Sequence, residues 1–111
     1  MSKKKIYIAG KVTGEPIAEC TMKFGAAQKE LESRGFEAIN PLAVVGDFKA
    51  PWNAAMKKCI KALVDCDGMV ILPCWQDSKG ASIERQLAAD LDIVIVNYSA
   101  FGLKVLTINL A

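Results

Sequence analysis

The chain has 111 residues, 52% of them apolar, and its 14 basic and 12 acidic side chains leave a net charge of +2. This length and composition suit a single domain with its own core, so we expect one domain over residues 1–111. The charge is too small to indicate a nucleic-acid surface, and no apolar run approaches the roughly 20 residues that span a bilayer. We therefore expect neither nucleic acid nor membrane as a partner.

The four cysteines include no C-x-x-C pair, and the chain has no histidine. A metal site is therefore not expected, and no motif indicates a bound cofactor. Cysteines without a disulfide spacing, in a chain that can form a core, are typical of reduced and buried thiols in a cytoplasmic protein.

Strands and helices alternate along the predicted chain. They are a strand at 5–9, a helix from 17 to about 34, a strand at 36–39, a loop to about 50, a helix from 51, a strand at 68–72, a helix from about 81 to 91 and a strand at 93–96. The first helix is predicted to end near Arg34 because Gly35 follows it. Alternation of this kind favours a parallel, doubly wound sheet.

The third strand, 68–72, is almost continuously apolar, which is typical of a strand covered by helices on both faces. On the second helix, Lys57, Lys58 and Lys61 are expected to face water. On the third helix, the side chains expected to face inward are Ile83, Leu87, Ala88 and Leu91. Residues 104–110 resemble a further strand, but about seven residues are too few for a parallel crossover, so we expect antiparallel pairing or an oligomer contact.

In open α/β sheets, ligands bind beyond the carboxyl ends of the strands. The segments to inspect are therefore 10–16, 40–52 and 73–84. The first is neither a Walker loop nor a G-x-G-x-x-G motif. Gly10 and Gly14 are explained by turns alone, although glycine also lets backbone N–H groups approach an anion at a helix start.

The third segment places Ser78, Lys79 and Gly80 around a helix start, followed by Glu84. Such a cluster can hold phosphate and sugar together. We expect Glu84 in the first helical turn, where the helix dipole favours an ionised carboxylate, and this dipole interaction alone would explain the residue. Trp75 is either a half-buried core residue or a flat surface for a base.

At these residues the chain resembles the nucleoside 2-deoxyribosyltransferase superfamily, most closely its small, functionally unassigned branch of bacteria and phages. The resemblance covers most of residues 5–96 and rests on the run 5–10, Asn40-Pro41, Cys66-Asp67-Gly68 and the S-x-G-x-x-x-E stretch from Ser78 to Glu84. It implies a flavodoxin-like three-layer domain with strand order 2-1-3-4, to which 104–110 would add an edge strand. It also implies cleavage or exchange of the N-glycosidic bond of 2′-deoxynucleosides or their 5′-monophosphates.

Carried over by position, the resemblance implies that Glu84 is the nucleophile and that Tyr7 orients it. A serine at position 78 resembles the members that act on 5′-monophosphates. The residues expected to bind substrate are Gly10, Lys11, Gly14, Asn40, Trp75, Ser78, Gly80 and Ser82. Relatives commonly assemble so that neighbours complete each other's sites, which implies a homo-oligomer.

One position departs from the family. Active members usually carry an aspartate where this chain has Cys59, and a thiol with a pKa near 8.5 is a poor substitute for a carboxyl that handles the proton of the base. Asp47 and Asp77 remain candidate proton donors beside Cys59. The leading expectation is an N-glycosidase or deoxyribosyltransferase-like enzyme on a deoxynucleoside 5′-monophosphate. The alternatives are a catalytically silent nucleotide-binding protein and, more remotely, a flavin carrier.

Overall fold

The computed structural model describes residues 3–73 and 75–98. Its strands are β1 Lys5–Ala9, β2 Glu37–Ile39, β3 Gly68–Ile71 and β4 Val94–Asn97, and its helices are α1 Ile17–Ser33, α2 Pro41–Val45, α3 Trp52–Val64 and α4 Lys79–Asp90. All neighbouring strands pair in parallel, in the order β2-β1-β3-β4. The predicted flavodoxin-like α/β fold with strand order 2-1-3-4 is confirmed.

The alternation of side chains along the strands divides the core into two clusters, one on each face of the sheet. Ile6 and Ile8 of β1 lie on the face covered by α1. Tyr7 and Ala9 lie on the opposite face, where α3 and α4 pack. The sheet is therefore the middle of three layers, and Tyr7 is directed toward α3 and α4.

The central position of β3 is confirmed, since all four of its residues are buried and it pairs with both β1 and β4. The predicted solvent-facing lysines of α3 are exposed. Three cysteines, Cys20, Cys59 and Cys66, are buried free thiols. The fourth, Cys74, and the predicted strand at 104–110 lie outside the described residues.

The predicted end of α1 is confirmed, and its hydrogen bonds explain it. Gly35 has φ +88°, a left-handed conformation that glycine adopts without strain. Its N–H donates to the Glu32 carbonyl, and the N–H of Phe36 donates to the Leu31 carbonyl, both at 3.1 Å. This is a Schellman motif, which satisfies the last carbonyls of the helix.

The predicted loop at 40–50 contains a short helix, α2, so that prediction was wrong. Asn40 caps this helix, because its side-chain oxygen accepts a hydrogen bond from the Leu42 N–H at 2.9 Å. Pro41 occupies the first helical position, where its missing N–H costs nothing. The Asn-Pro pair therefore both ends β2 and starts α2, and only its first effect was predicted.

The prediction for the inward face of α4 is confirmed at Ala88, which is buried, and at Leu87, which packs against the core cluster that contains Tyr7. It was wrong at Ile83 and Leu91. Ile83 and Leu91 are 38% and 50% exposed, whereas the buried side chains are Ala81, Glu84 and Ala88. The prediction placed Ile83 and Leu91 inward because their side chains are the more hydrophobic ones. The helix instead turns two alanines and a carboxylate inward, because small side chains let it approach the sheet and bring Glu84 close to β1.

Two negative findings hold for residues 3–73 and 75–98. No helix there is long and apolar enough to cross a membrane. No cluster of three or more histidine, cysteine, aspartate or glutamate side chains there is arranged to hold a metal ion.

The cap of α1 predicts opposite effects for one substitution at two glycines. Gly35→Ala should lower the free energy of unfolding by about 1 kcal/mol, because alanine is strained at positive φ. Gly25→Ala should raise it by about 0.5 to 1 kcal/mol, because Gly25 lies inside the helix and an added Cβ meets no atom within 4 Å. Urea denaturation measures both, and equal shifts of the same sign would contradict the cap.

Candidate functional site

A cavity of about 780 Å³ lies at the carboxyl ends of β1, β2 and β3. The three segments singled out in the sequence all contribute to its wall, and α3 completes it. This is where the strand order reverses between β1 and β3, the usual position of ligands in such sheets. Its lining residues come from 10–15, 41–52, 55–59 and 77–84, together with Tyr7 and Ile17.

Two polar side chains meet in the buried part of this wall. The hydroxyl of Tyr7 donates a hydrogen bond to Oε2 of Glu84, with 2.6 Å between the oxygens. Tyr7 is fully buried and Glu84 is 5% exposed. The alternation of β1 directs Tyr7 to this face of the sheet, and the small inward side chains of α4 let Glu84 reach it.

Burial raises the pKa of Glu84 to about 7, and the hydrogen bond from Tyr7 partly offsets that rise. The first-turn placement expected from the sequence was wrong. The helix begins at Lys79 with Ser78 as its cap, so Glu84 lies in the second turn, and a dipole interaction in the first turn does not explain it. Near neutral pH the carboxyl is present in both its ionised and its protonated forms.

Two other ionisable groups, the Tyr7 hydroxyl and the Cys59 thiol, form a cluster with Glu84, and both remain protonated at neutral pH. Burial and then the charge of Glu84 raise the pKa of Tyr7, so its hydroxyl stays a donor. Burial raises the pKa of the Cys59 thiol, and the neighbouring Tyr7 hydroxyl offsets only part of that rise. Cys59 projects from α3 into the same wall of the cavity. The cluster thus contains one group that ionises near pH 7, Glu84.

The start of α4 presents hydrogen-bond donors to the cavity. The hydroxyl oxygen of Ser78 accepts from the Ala81 N–H at 3.1 Å, and the Ser82 N–H donates to the Ser78 carbonyl at 3.0 Å. The N–H groups of Lys79 and Gly80 precede the intrahelical ladder. With the hydroxyl proton of Ser78, they form a set of donors suited to an anion.

The glycines predicted to bind substrate have structural reasons as well. A Cβ on Gly10 would lie 2.9 Å from Cδ1 of Leu72, so β1 and the end of β3 approach as closely as they do only because Gly10 has no side chain. A Cβ on Gly80 would lie 3.0 Å from the sulfur of Met56. Gly14 has φ +86° and turns the loop after β1. All three line the cavity.

Four of the predicted binding residues lie away from the cavity wall: Lys11, Asn40, Trp75 and Ser82. Asn40 caps α2, and its amide nitrogen donates to Gln28 at 3.1 Å. Trp75 packs beside the core cluster of Tyr7, with the guanidinium of Arg85 4.7 Å from its ring centre. The candidate proton donors Asp47 and Asp77 are exposed and line the cavity, as does the buried Cys59.

Sequence reasoning missed the aromatic part of the wall. Trp52 was not among the residues expected to bind substrate, yet it is 36% exposed and lines the cavity together with Phe48. The signal was present in its position, because Trp52 opens a helix that follows the carboxyl end of β2. The ammonium of Lys79 lies 4.5 Å from the centre of the Trp52 ring.

Fold and site together define a flavodoxin-like α/β domain with a buried carboxyl group, held by a tyrosine, in a cavity at the carboxyl end of its sheet. A family model described as "Domain of unknown function (DUF4406)" matches residues 4–97, and the chain belongs to this family. Comparison with curated proteins finds no match.

The raised pKa of Glu84 predicts how its replacement changes stability with pH. Unfolded, the carboxyl has a pKa near 4.5, against about 7 in the fold. Ionisation therefore destabilises the fold as pH rises from about 4.5 to 7, by about 3 kcal/mol in total. Glutamine does not ionise, so the melting temperature of Glu84→Gln minus that of the wild type should rise over this range and level off above it.

Circular dichroism melting in steps from pH 4 to 8.5 measures that difference. Glu32→Gln is the control, because it removes one exposed carboxylate far from the cavity and should change melting little. A Glu84→Gln difference that stays constant across the range would contradict burial of an ionising carboxyl.

Proposed function

We propose that this chain is an N-glycosidase or deoxyribosyltransferase-like enzyme acting on the N-glycosidic bond of a 2′-deoxynucleoside 5′-monophosphate. The observation that carries the proposal is the buried Glu84 carboxyl, hydrogen-bonded by Tyr7 at 2.6 Å, in the wall of a cavity of about 780 Å³. That volume lies in the range of small-molecule sites. The sequence stretches that resemble nucleoside 2-deoxyribosyltransferases include the same two residues.

The chemistry requires an ionised Glu84. A carboxylate oxygen attacks the anomeric carbon of the deoxyribose, the bond to the base breaks, and its electron pair leaves with the base nitrogen. The base takes a proton from a donor in the site. Water or a second base then attacks the glycosyl ester and releases Glu84, which gives hydrolysis or transfer respectively.

Tyr7 contributes by holding the nucleophile. Its hydroxyl stays protonated and bonds one oxygen of Glu84, so the carboxylate keeps a fixed orientation. The same bond lowers the pKa of Glu84, which increases the ionised fraction at neutral pH. Because only the ionised form attacks, kcat/KM is expected to rise with pH through about 7.

The start of α4 supports the phosphate part of the proposal. Ser78, Lys79 and Gly80 combine a hydroxyl, backbone N–H groups and a positive charge at the positive end of a 12-residue helix. Among residues 3–73 and 75–98, the Ser78 side chain hydrogen-bonds only with the Ala81 N–H, which leaves its hydroxyl proton for a phosphate oxygen.

A second candidate function is a nucleotide-binding protein without turnover, and Cys59 favours it. The thiol lies in the cavity wall next to Tyr7, where related enzymes are expected to carry an aspartate. Its raised pKa makes it a weak acid toward a leaving base. Asp47 and Asp77 line the same cavity and are the rival donors that would preserve turnover.

The phosphate site predicts a ligand preference. Deoxynucleoside 5′-monophosphates should raise the melting temperature more than the matching nucleosides, because the phosphate adds contacts at the start of α4. Ser78→Asp should remove that preference, since aspartate also caps a helix and so preserves the fold while its charge repels the phosphate. Thermal shift with each ligand pair measures both effects.

Ser82→Asp is the matched control for that experiment. It adds the same charge to the same helix, but Ser82 lies away from the cavity wall, so it should keep most of the preference. Equal loss in both variants would assign the effect to net charge alone, and equal shifts by nucleotides and nucleosides in the wild type would refute the phosphate site.

Catalysis is tested by the release of free base, which is measured by chromatography. In an enzyme, Glu84→Gln should abolish release while nucleotide affinity stays within about tenfold, because a nucleophile acts chiefly in the transition state. If Cys59 has silenced the site, the wild type should release no base and Cys59→Asp should gain slow release. Wild-type turnover that survives Glu84→Gln would refute the nucleophile.

A further inference from the structure

The cavity contains one contact that the proposed chemistry leaves unexplained. Trp52, the first residue of α3, meets Lys79, the first residue of α4, with the ammonium 4.5 Å from the ring centre. Both residues line the cavity. A cation over an indole face is a favourable contact, so the lysine covers an aromatic surface that would otherwise face the cavity.

The ring is placed beside the anion-binding start of α4. Its indole nitrogen lies 3.9 Å from the position that a Cβ on Gly80 would occupy. The Gly80 backbone and the Trp52 ring are therefore adjacent, and no side chain at position 80 separates them. A ligand held by the first turn of α4 would have a planar aromatic surface next to it.

Lys79 is the single basic residue among the described residues that line the cavity. Four acidic side chains line it as well: Glu15, Asp47, Asp77 and Glu84. Glu15 is already paired with Lys23, which does not line the cavity, at 3.2 Å. The described cavity wall therefore offers an anionic ligand one positive charge, and that charge lies over the Trp52 ring.

We propose that Trp52 is the stacking platform of a nucleobase subsite. When a nucleotide binds, the ammonium of Lys79 leaves the Trp52 ring and pairs with the phosphate. This inference rests on the proposed function for the class of ligand. The phosphate draws the ammonium away from the indole, the base takes its place on the ring face, and each event favours the other. Stacking on an aromatic ring accepts any base, so Trp52 confers affinity for a base and leaves the choice among bases to other residues.

The other tryptophan is a natural control. Trp75 lies away from the cavity wall, and its ring is covered by Arg85. The chain has two tryptophans in all, so Trp75→Phe and Trp52→Phe each leave one fluorescent indole. Stacking of a base on an indole quenches its emission, which allows the two rings to be examined separately.

The experiment titrates these two variants with the four deoxynucleoside 5′-monophosphates, excited at the red edge of indole absorption. Calorimetry on the wild type and on Trp52→Leu measures affinity in parallel, with 2-deoxyribose 5-phosphate as the probe without a base. We expect quenching in Trp75→Phe and none in Trp52→Phe. Trp52→Leu should weaken the deoxynucleotides about fivefold or more and the sugar phosphate less than twofold.

Lys79→Met tests the exchange, because methionine keeps an apolar stem over the ring and removes the charge. Affinity for the monophosphates should fall about tenfold, whereas affinity for the matching nucleosides should stay within twofold. An equal loss for both ligands would show that Lys79 acts only through packing, and would overturn the exchange.

The remaining outcomes separate this inference from the proposed function. Quenching in Trp52→Phe, where Trp75 is the remaining indole, would overturn the stacking platform. Equal weakening of the nucleotides and the sugar phosphate by Trp52→Leu would overturn it as well. In both cases, nucleotide binding measured by calorimetry would still support the nucleotide site. Should Trp52→Leu fail to fold, the two phenylalanine variants decide the matter by fluorescence. Absence of calorimetric binding for every probe would overturn both proposals.

Discussion

The site depends on one constraint, which is that a carboxyl group buried against the sheet must have a partner. Glu84 is almost completely removed from water, and the hydroxyl of Tyr7 is its hydrogen-bond donor. An unpaired carboxyl in this position would cost the full free energy of its desolvation. The 2.6 Å bond therefore joins α4 to β1, and these two elements contribute Glu84 and Tyr7 to the cavity wall.

The same constraint explains the composition of α4. A helix that must bring a short acidic side chain to a strand has to lie close to the sheet, and Ala81 and Ala88 permit that approach. Ile83 and Leu91, the residue that follows the helix, are exposed. The helix therefore buries less apolar surface than it could, and it buries a carboxyl group whose pKa is raised to about 7.

Another part of the cavity wall depends on helix starts rather than on burial. α3 and α4 both begin at the carboxyl end of the sheet, and their first residues, Trp52 and Lys79, contact each other. A helix start, a cation and an aromatic ring therefore lie together in the wall that also contains Tyr7 and Glu84. This combination suits a ligand with a charged part and a planar part.

The sequence by itself determined the alternation of strands and helices, the central place of β3, the end of α1 and the three segments that form the cavity. These features depend on local signals, namely apolar periodicity, a glycine that can take positive φ, and the rule that parallel strands end at one edge. The sequence also indicated the strand order 2-1-3-4, Glu84 and Tyr7, through a resemblance rather than through periodicity.

Only the tertiary structure decided that α4 turns Ala81 and Glu84 inward in place of Ile83, that Asn40 and Pro41 start a helix, and that Trp52 rather than Trp75 lines the cavity. Each depends on contacts between distant parts of the chain. Hydrophobicity ranks isoleucine above alanine and glutamate for burial, but the close approach of α4 to β1 excludes the larger side chain. Two tryptophans look alike in sequence, and their environments differ because one begins a helix beside the cavity and the other packs beneath an arginine.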